Sequence, residues 1–135
     1  METARKKEPL IFIVEDEVDA GHSLLALLAQ EGYSARLFRD PLEAARAFPT
    51  CHPMPDLLIT DFEMPGLNGL ELAQVCKSNH PALRVIMASG HTQEQLRRDY
   101  NLQPDLLFQK PFAFEFLLAG VRQLLGEHPQ TGTGG

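Results

Sequence analysis

The chain has no tryptophan, and its 12 lysines and arginines are outnumbered by 18 acidic residues, which gives a net charge of −6. The basic residues form no cluster except Arg5, Lys6 and Lys7. Binding to a phosphate backbone requires grouped lysines and arginines. We therefore expect no direct contact between this chain and nucleic acid.

Long apolar runs and a cysteine framework are also absent. No run approaches the roughly 20 apolar residues that span a bilayer, and the polar start of the chain lacks the apolar core of a secretory signal. We expect a cytoplasmic protein with no membrane partner. Cys51 and Cys76 lack CxxC spacing, so free thiols are expected rather than a disulfide or a metal site.

What remains is the composition of one globular domain. With 135 residues, 44% of them hydrophobic and 22% charged, the chain is long enough to bury a core. We expect an N-terminal extension over residues 1–8, a domain over residues 9–127 and a flexible tail or linker over residues 128–135, where Gly and Thr dominate.

Five short apolar runs recur along the chain, over residues 10–14, 35–38, 56–60, 84–88 and 105–109. Four of them are nearly continuous rather than alternating, which is typical of strands covered on both faces of a parallel sheet. Helical patterns fill the gaps between them. Strands that alternate with helices predict an α/β fold, a doubly wound parallel sheet with helices on both faces.

The helices are predicted from periodicity and from capping residues. The last helix has an apolar stripe on one face that should point to the core: Phe114, Leu117, Leu118, Val121 and Leu125. Two further helices are predicted over residues 70–77 and 23–31, the second ending before Gly32.

Two other helix starts carry reciprocal capping pairs. Asp40 is followed by Pro41 and Glu43, and Thr92 is followed three residues later by Gln95. In each pair the first side chain would cap the helix and the second would bond back to it.

Acidic residues follow two of the predicted strands. Glu15, Asp16 and Glu17 come after the first, and Asp61 and Glu63 after the third. In doubly wound sheets ligands gather beyond the carboxyl ends of the strands. Converging carboxylates would raise one another's pKa unless a cation holds them ionised, and Mg²⁺ usually takes only one or two carboxylates. Acids at a helix start also complement the helix dipole, and that alternative stays open for the first three taken alone.

A hydroxyl and an amine follow the two remaining strands. Ser89 and Gly90 come after the fourth, and Lys110 and Pro111 after the fifth. Alone, such a serine is usually a turn residue and such a lysine is usually solvated. Together with the acids they match what phosphoryl transfer needs, namely a carboxylate nucleophile, a metal ion, and a cation with hydrogen-bond donors where charge develops.

These motifs together resemble the response-regulator receiver family of two-component signal transduction, a chemotaxis-response-regulator-like domain. The resemblance covers the chain from about Leu10 to Leu125. It implies a flavodoxin-like fold with strand order 2-1-3-4-5 and a phosphoacceptor that catalyses only its own Mg²⁺-dependent phosphorylation and dephosphorylation. The residues that carry it are Val14-Glu15-Asp16, Asp61-Phe62-Glu63-Met64-Pro65-Gly66 with Gly69, Ser89-Gly90, and Lys110-Pro111-Phe112.

The resemblance implies specific roles for the acids. Asp61 falls on the phosphoacceptor, which receives a phosphoryl group from the phosphohistidine of a kinase. Asp16 falls on a direct Mg²⁺ ligand, alongside Asp61 itself and the backbone carbonyl of Glu63, while Glu15 would reach the ion through water. Magnesium is the implied cofactor.

It also implies roles for the other polar residues. Ser89 falls on the hydroxyl that reorients towards the phosphoryl group, and Lys110 on the lysine that pairs with it, before a cis Lys110-Pro111 bond. The family commonly has Tyr or Phe three residues before that lysine, but this chain has Leu107. Coupling would then rely on Ser89 and the loop with His91, which we interpret as a surface side chain gating access rather than a catalytic base.

The implied partners are a histidine kinase or phosphotransfer protein on one side and a downstream protein or attached output domain on the other. A homodimer through the fourth and fifth helices is a further family property. The run Phe108-Gln109-Lys110-Pro111-Phe112 resembles the version in hybrid histidine kinases. A free-standing receiver and a piece of a larger protein therefore both stay open.

Two alternatives compete with this interpretation. A metal-dependent fold of the topoisomerase–primase type also sets a glutamate after its first strand and an acid pair after its third, as Glu15, Asp61 and Glu63 would be. It needs neither Ser89 nor Lys110, and it predicts a basic groove that this acidic chain lacks. The other alternative is a docking module that has kept the fold and lost the chemistry.

Overall fold

A computed structural model describes residues 8–100 and 104–126 of the chain. The strands are β1 (Leu10–Val14), β2 (Ser34–Phe38), β3 (Leu57–Asp61), β4 (Arg84–Ser89) and β5 (Leu106–Gln109). The helices are α1 (Val18–Gln30), α2 (Pro41–Ala47), α3 (Gly69–Asn79), α4 (Gln93–Tyr100) and α5 (Phe114–Leu125), with a short 3-10 helix, Phe48–Thr50, after α2. All five predicted strands are present, each within one residue of its predicted bounds.

The strands form one parallel sheet in the order β2-β1-β3-β4-β5. This confirms both the doubly wound fold and the strand order. Val14 pairs with Thr60, and Asp61 pairs with Ala88. The carboxyl ends of β1, β3 and β4 therefore lie side by side, at the point where the strand order reverses.

Alternate residues of the strands feed two separate cores. In β1, Phe12 packs against α2, α3 and α4, whereas Ile13 packs against α1 and α5. Every residue of the central strand β3 is buried. A strand with both faces covered has no polar face, which explains the continuous apolar runs in the sequence.

The apolar stripe of α5 faces the second core, as predicted. Leu117, Leu118 and Val121 are buried there, and Phe114 and Leu125 are partly buried against the same cluster.

The start of α1 differs from the prediction. The helix begins at Val18 rather than at residue 23, because the Glu17 side chain accepts a hydrogen bond from the backbone N–H of Ala20 at 3.1 Å and caps the first turn. Glu17 thus serves the helix end, which is the alternative that its position left open. Gly32 has a positive φ of 91° just beyond the helix, as its predicted closing role requires.

The capping pairs are confirmed in part. Thr92 Oγ1 accepts from Gln95 N at 3.1 Å, and Gln95 Oε1 accepts from Thr92 N at 2.7 Å. Asp40 caps α2 by accepting from the N–H of Leu42. In the described ranges the Glu43 side chain makes no bond back to Asp40, so the reciprocal half of that prediction is wrong.

Helix α3 has a capping box that the sequence reasoning missed. Asn68 Oδ1 accepts from Glu71 N, and Glu71 Oε1 accepts from Asn68 N, both at 2.8 Å. With its first turn held in this way, the helix runs Gly69–Asn79 and is longer than the predicted 70–77.

Cys76 is buried and Cys51 is half-exposed, and both are free thiols, as expected. No helix in the described ranges is long and apolar enough to cross a membrane. The predicted tail over residues 128–135 and residues 1–7 of the predicted N-terminal extension lie outside the described residues.

Candidate functional site

Three carboxylates meet at the carboxyl ends of β1 and β3. One carboxylate oxygen from each of Glu15, Asp16 and Asp61 lies within 4.8 Å of the others. The pairing of Val14 with Thr60 places the residues after β1 directly beside the end of β3. Asp61 is only 5% exposed. The structure thus brings together three acids that the sequence placed after two separate strands.

The electrostatics of this cluster favour a bound cation. Burial of Glu15, together with its hydrogen bond to Asp61, raises the pKa of Glu15 from 4.5 to about 7. Its other oxygen accepts from the backbone N–H of Glu17 at 3.0 Å. Carboxylate oxygens are suitable ligands for Mg²⁺, which also keeps water and phosphate oxygens in its coordination shell. The residues present therefore fit a magnesium site.

Lys110 places a positive charge beside the buried Asp61 side chain. Its Nζ lies 3.1 Å from Asp61 Oδ1. Burial lowers the pKa of Lys110, but the charge and hydrogen bond of Asp61 outweigh it and raise that pKa above its usual range. The backbone N–H of Lys110 donates to the Ser89 carbonyl at 2.8 Å, and the Lys110-Pro111 peptide bond is cis, as the resemblance implied.

The Ser89 hydroxyl has partners that sequence reasoning missed. Ser89 is fully buried, and its Oγ donates to Glu63 Oε2 at 3.1 Å while it accepts from His91 N at 2.9 Å. His91 Nδ1 lies 2.7 Å from the same Glu63 oxygen. Burial alone would raise the pKa of Glu63, but the bonds from His91 and Ser89 bring it below its usual value.

A sequence signal for this contact did exist. Glu63 lies two residues after the last residue of β3, and His91 lies two residues after the last residue of β4. Because β3 and β4 pair in parallel, residues just beyond their two carboxyl ends lie near each other. Sequence reasoning gave Glu63 a place at the site but did not predict that its side chain bonds to Ser89 and His91.

Leu107, at the usual aromatic position, is partly buried against the core that α2, α3 and α4 cover. The aromatic contacts beside the site lie elsewhere. The buried Phe62 ring stands edge-on to Tyr100 at the end of α4, with 5.0 Å between ring centroids, and to His91 at 5.4 Å.

Gly69 lies against the end of β3. A Cβ added there would stand 2.5 Å from the Asp61 carbonyl oxygen and 3.0 Å from Phe62 Cα. Only glycine allows α3 to start this close to the backbone of Asp61 and Phe62. This explains the last residue of the motif that includes Asp61.

A cavity of about 350 Å³ opens beside these groups, lined by Asp61, Lys110 and Glu15 together with apolar residues of β1, β3, α1 and α5. Asp61 is therefore buried in the fold yet borders open space. A group the size of a phosphoryl has room to approach its carboxylate.

Residues 11–122 match the family model of the response regulator receiver domain. The chain belongs to this family. Receiver domains are the phosphoacceptor modules of two-component systems, signalling modules that interact with histidine kinases or phosphotransfer proteins and with output domains. The topoisomerase–primase alternative is therefore wrong.

Curated relatives of this receiver domain are response regulators. The transcriptional regulatory protein CreB of Escherichia coli (strain K12) is 31% identical over 119 residues, which cover 85% of this chain and 50% of CreB. The response regulator MprA of Mycobacterium leprae (strain TN) is 33% identical over 116 residues, with the same coverage. The chain thus spans about half the length of these relatives.

Solved structures of receiver domains have the same fold. TrrA from Thermotoga maritima, crystallised in complex with Mg(2+)-BeF, is 30% identical with a TM-score of 0.75, over 87% of this chain and 99% of that one. The receiver domain of the hybrid histidine kinase CckA is 27% identical with a TM-score of 0.71, over 86% and 98% of the two chains.

Proposed function

We propose that Asp61 is the phosphoacceptor of this receiver domain. The observation that carries the proposal is that a carboxylate only 5% exposed lies 3.1 Å from the Lys110 amine and within 4.8 Å of two further acids. A buried carboxylate with a cation beside it, next to open space, is placed to act as a nucleophile.

The proposed step transfers a phosphoryl group from a phosphohistidine. An Asp61 oxygen attacks phosphorus in line, an O–P bond forms, and the P–N bond breaks with its electron pair going to the departing imidazole. Lys110 keeps its proton throughout, because its pKa is raised, and its positive charge lies where negative charge accumulates. The product is an aspartyl phosphate.

We further propose that Mg²⁺ is held by Asp16, Asp61 and the backbone carbonyl of Glu63, with Glu15 acting through water. The acid cluster fits such an ion, and TrrA was crystallised with Mg(2+)-BeF. When bound, the ion would neutralise phosphoryl oxygens. The Glu63 side chain is bonded through Oε2 to Ser89 and His91, so we assign its backbone carbonyl rather than its carboxylate to the metal.

The proposed donor is a histidine kinase or a phosphotransfer protein in the cytoplasm. The proposed output is a changed contact with a downstream protein or an attached output domain. The relatives CreB and MprA are about twice the length of the matched segment, which supports an attached domain. Dimerisation through α4 and α5 stays a prediction.

The test is labelling with radioactive acetyl phosphate in Mg²⁺. Asp61→Asn should abolish labelling, since an amide oxygen is a far weaker nucleophile and cannot form the acyl phosphate. Asp99→Asn, at an exposed acid of α4 that pairs with Arg98, is the matched control and should label normally. Adding EDTA should lower the labelling of the wild type by about tenfold or more.

Labelling of Asp61→Asn at the wild-type level would refute the assignment. Absence of labelling in the folded wild-type protein, with either acetyl phosphate or a phosphorylated kinase, would instead favour the docking module that has lost its chemistry.

A further inference from the structure

The Ser89 hydroxyl is bonded to Glu63 and His91. Its proton goes to Glu63 Oε2 at 3.1 Å, and its oxygen receives the His91 N–H at 2.9 Å. A hydroxyl has a single proton to donate. It can therefore serve the Glu63 carboxylate or an incoming phosphoryl oxygen, but not both.

His91 connects this hydroxyl to an aromatic contact. Its Nδ1 lies 2.7 Å from Glu63 and 3.2 Å from Ser89 Oγ, and its ring stands edge-on to Phe62. Phe62 in turn stands edge-on to Tyr100, with 5.0 Å between centroids. Edge-to-face ring pairs of this kind contribute about 0.5–1.5 kcal/mol beyond their buried area.

Phe62 is well placed to transmit a change. It directly follows Asp61, is 3% exposed, and donates its backbone N–H to the Ala88 carbonyl at 2.9 Å. Its backbone is fixed to the sheet, but its ring contacts both His91 and Tyr100, so a displaced His91 ring lets the Phe62 ring change its contact with Tyr100. Tyr100 is the last residue of α4.

We propose that Glu63 and His91 hold Ser89 in the unphosphorylated state, and that release of this hydroxyl moves α4 through the ring series His91, Phe62 and Tyr100. The proposal rests on phosphorylation of Asp61, as proposed above. These rings would take the place of the aromatic side chain that the family commonly has at the position of Leu107. The Leu107 side chain has neither a ring nor a polar atom. Glu63 and His91 are positioning residues in this scheme, since they act through Ser89.

The energetics favour release once Asp61 is phosphorylated. The phosphoryl group brings about two negative charges and strong acceptor oxygens. It outcompetes the Glu63 carboxylate for the Ser89 proton and repels that carboxylate. His91 then loses a bonding partner, and its ring leaves the edge-on contact with Phe62. Two discrete packings of α4 follow, as in other switches that act through a loop and a short helix.

The first experiment uses Tyr100 as an optical probe. The chain has two tyrosines and no tryptophan, so in Tyr33→Phe all tyrosine emission comes from Tyr100. The Tyr33 hydroxyl contacts the carbonyl of Gly126 at the end of α5, away from the site. Adding Mg²⁺ with beryllium fluoride, a stand-in for the phosphoryl group, should change the intensity or anisotropy of Tyr100 emission. An unchanged signal in protein that labels normally with acetyl phosphate would overturn the proposal.

The second experiment compares matched variants by amide NMR of α4. Tyr100→Phe keeps the ring and should retain the chemical-shift changes that beryllium fluoride induces in α4. Tyr100→Leu removes the ring at a position that is 46% exposed, so the fold should persist, and those α4 changes should fall at least about twofold. Equal changes in the two variants would contradict the ring series.

The third comparison tests His91. His91→Asn keeps a hydrogen-bonding side chain without the large ring, and His91→Phe keeps a ring without the side-chain bond from Nδ1 to Glu63. The backbone N–H of residue 91 still donates to Ser89 Oγ in both variants. Before any addition, His91→Phe should shift the Gly90 amide resonance more than His91→Asn does, because the Glu63 carboxylate has lost the side-chain bond that helps to hold it against Ser89. Asp61 labelling is measured on every variant. Loss of wild-type labelling would refute the proposed function, whereas normal labelling without these differences would refute only the ring series.

Discussion

Gly69 lies so close behind Asp61 that a single methyl group would collide with the backbone of the acceptor segment. The added Cβ would stand 2.5 Å from the Asp61 carbonyl oxygen, and backbone cannot move aside as a flexible side chain can. The acceptor position therefore depends on a residue that carries no chemistry of its own.

Gly69→Ala is expected to lower the free energy of unfolding by about 1–3 kcal/mol, the usual cost of overpacking, as measured by urea denaturation. Gly90→Ala is the matched control, because nothing lies within 4 Å of its added Cβ, and it should cost much less. Equal losses in the two variants would mean that the close approach at Gly69 is relieved by a small backbone shift.

At this scale, much of the site could be predicted from the sequence. Asp16, Asp61, Ser89 and Lys110 lie at the carboxyl ends of strands or within two residues of them, and a parallel sheet brings those ends to the same edge. The spacing from the ends of β3 and β4 brings Glu63 and His91 near each other, but their contact with Ser89 was missed because it also depends on side-chain rotamers, which spacing does not specify.

The helices depend on their first turns as much as on their apolar faces. α1 begins at a glutamate cap and α3 at a complete capping box. Both helices start near the acid cluster: α1 lines the cavity beside it with Ala20 and Leu24, and Gly69 of α3 lies against the Asp61 carbonyl. The N-terminal turns thus fix where the loops of the site end.

Asn68→Ala is expected to lower the free energy of unfolding by about 1 kcal/mol, because the backbone N–H of Glu71 loses its side-chain acceptor. Gln74→Ala, at an exposed position in the middle of the same helix, should be close to neutral, since alanine is the best helix former. Chemical denaturation of the two variants measures the difference. A similar cost at both positions would show that the capping box adds nothing to stability.

Element types were easier to predict than element ends. The strands were predicted within one residue, because a continuous apolar run stops where the sheet stops being covered. The start of α1 was placed five residues late, because Glu17 lies within an acidic run that also suits a metal site, and composition alone cannot divide such a run between its two uses.

Across the whole molecule, the cluster of acids makes stability depend on pH. The pKa of Glu15 is raised from 4.5 to about 7 in the fold, so the folded state binds its proton more tightly than the unfolded chain does. This contribution to stability is complete below about pH 4.5 and is lost as the pH rises through about 7.

The melting temperature of the metal-free wild type, relative to Glu15→Gln, should therefore fall as the pH is raised from about 5 to about 8. Glutamine carries no titrating proton, so Glu15→Gln removes this term and leaves the rest of the pH dependence in place. Mg²⁺ should raise the wild-type melting temperature more at the higher pH, because it binds the ionised acids. Parallel pH curves for the two proteins would contradict the raised pKa.

The carboxyl ends of β1, β3, β4 and β5 each contribute one part of the site, so a fragment of the domain that lacks one of these strands lacks part of the site. Detaching any one of these four strands from the sheet displaces an acid, the hydroxyl or the amine. The chemistry of the site therefore requires that all four strands are assembled in the sheet. A copy of the domain that is damaged or only partly folded has an incomplete site, so we expect it not to be phosphorylated.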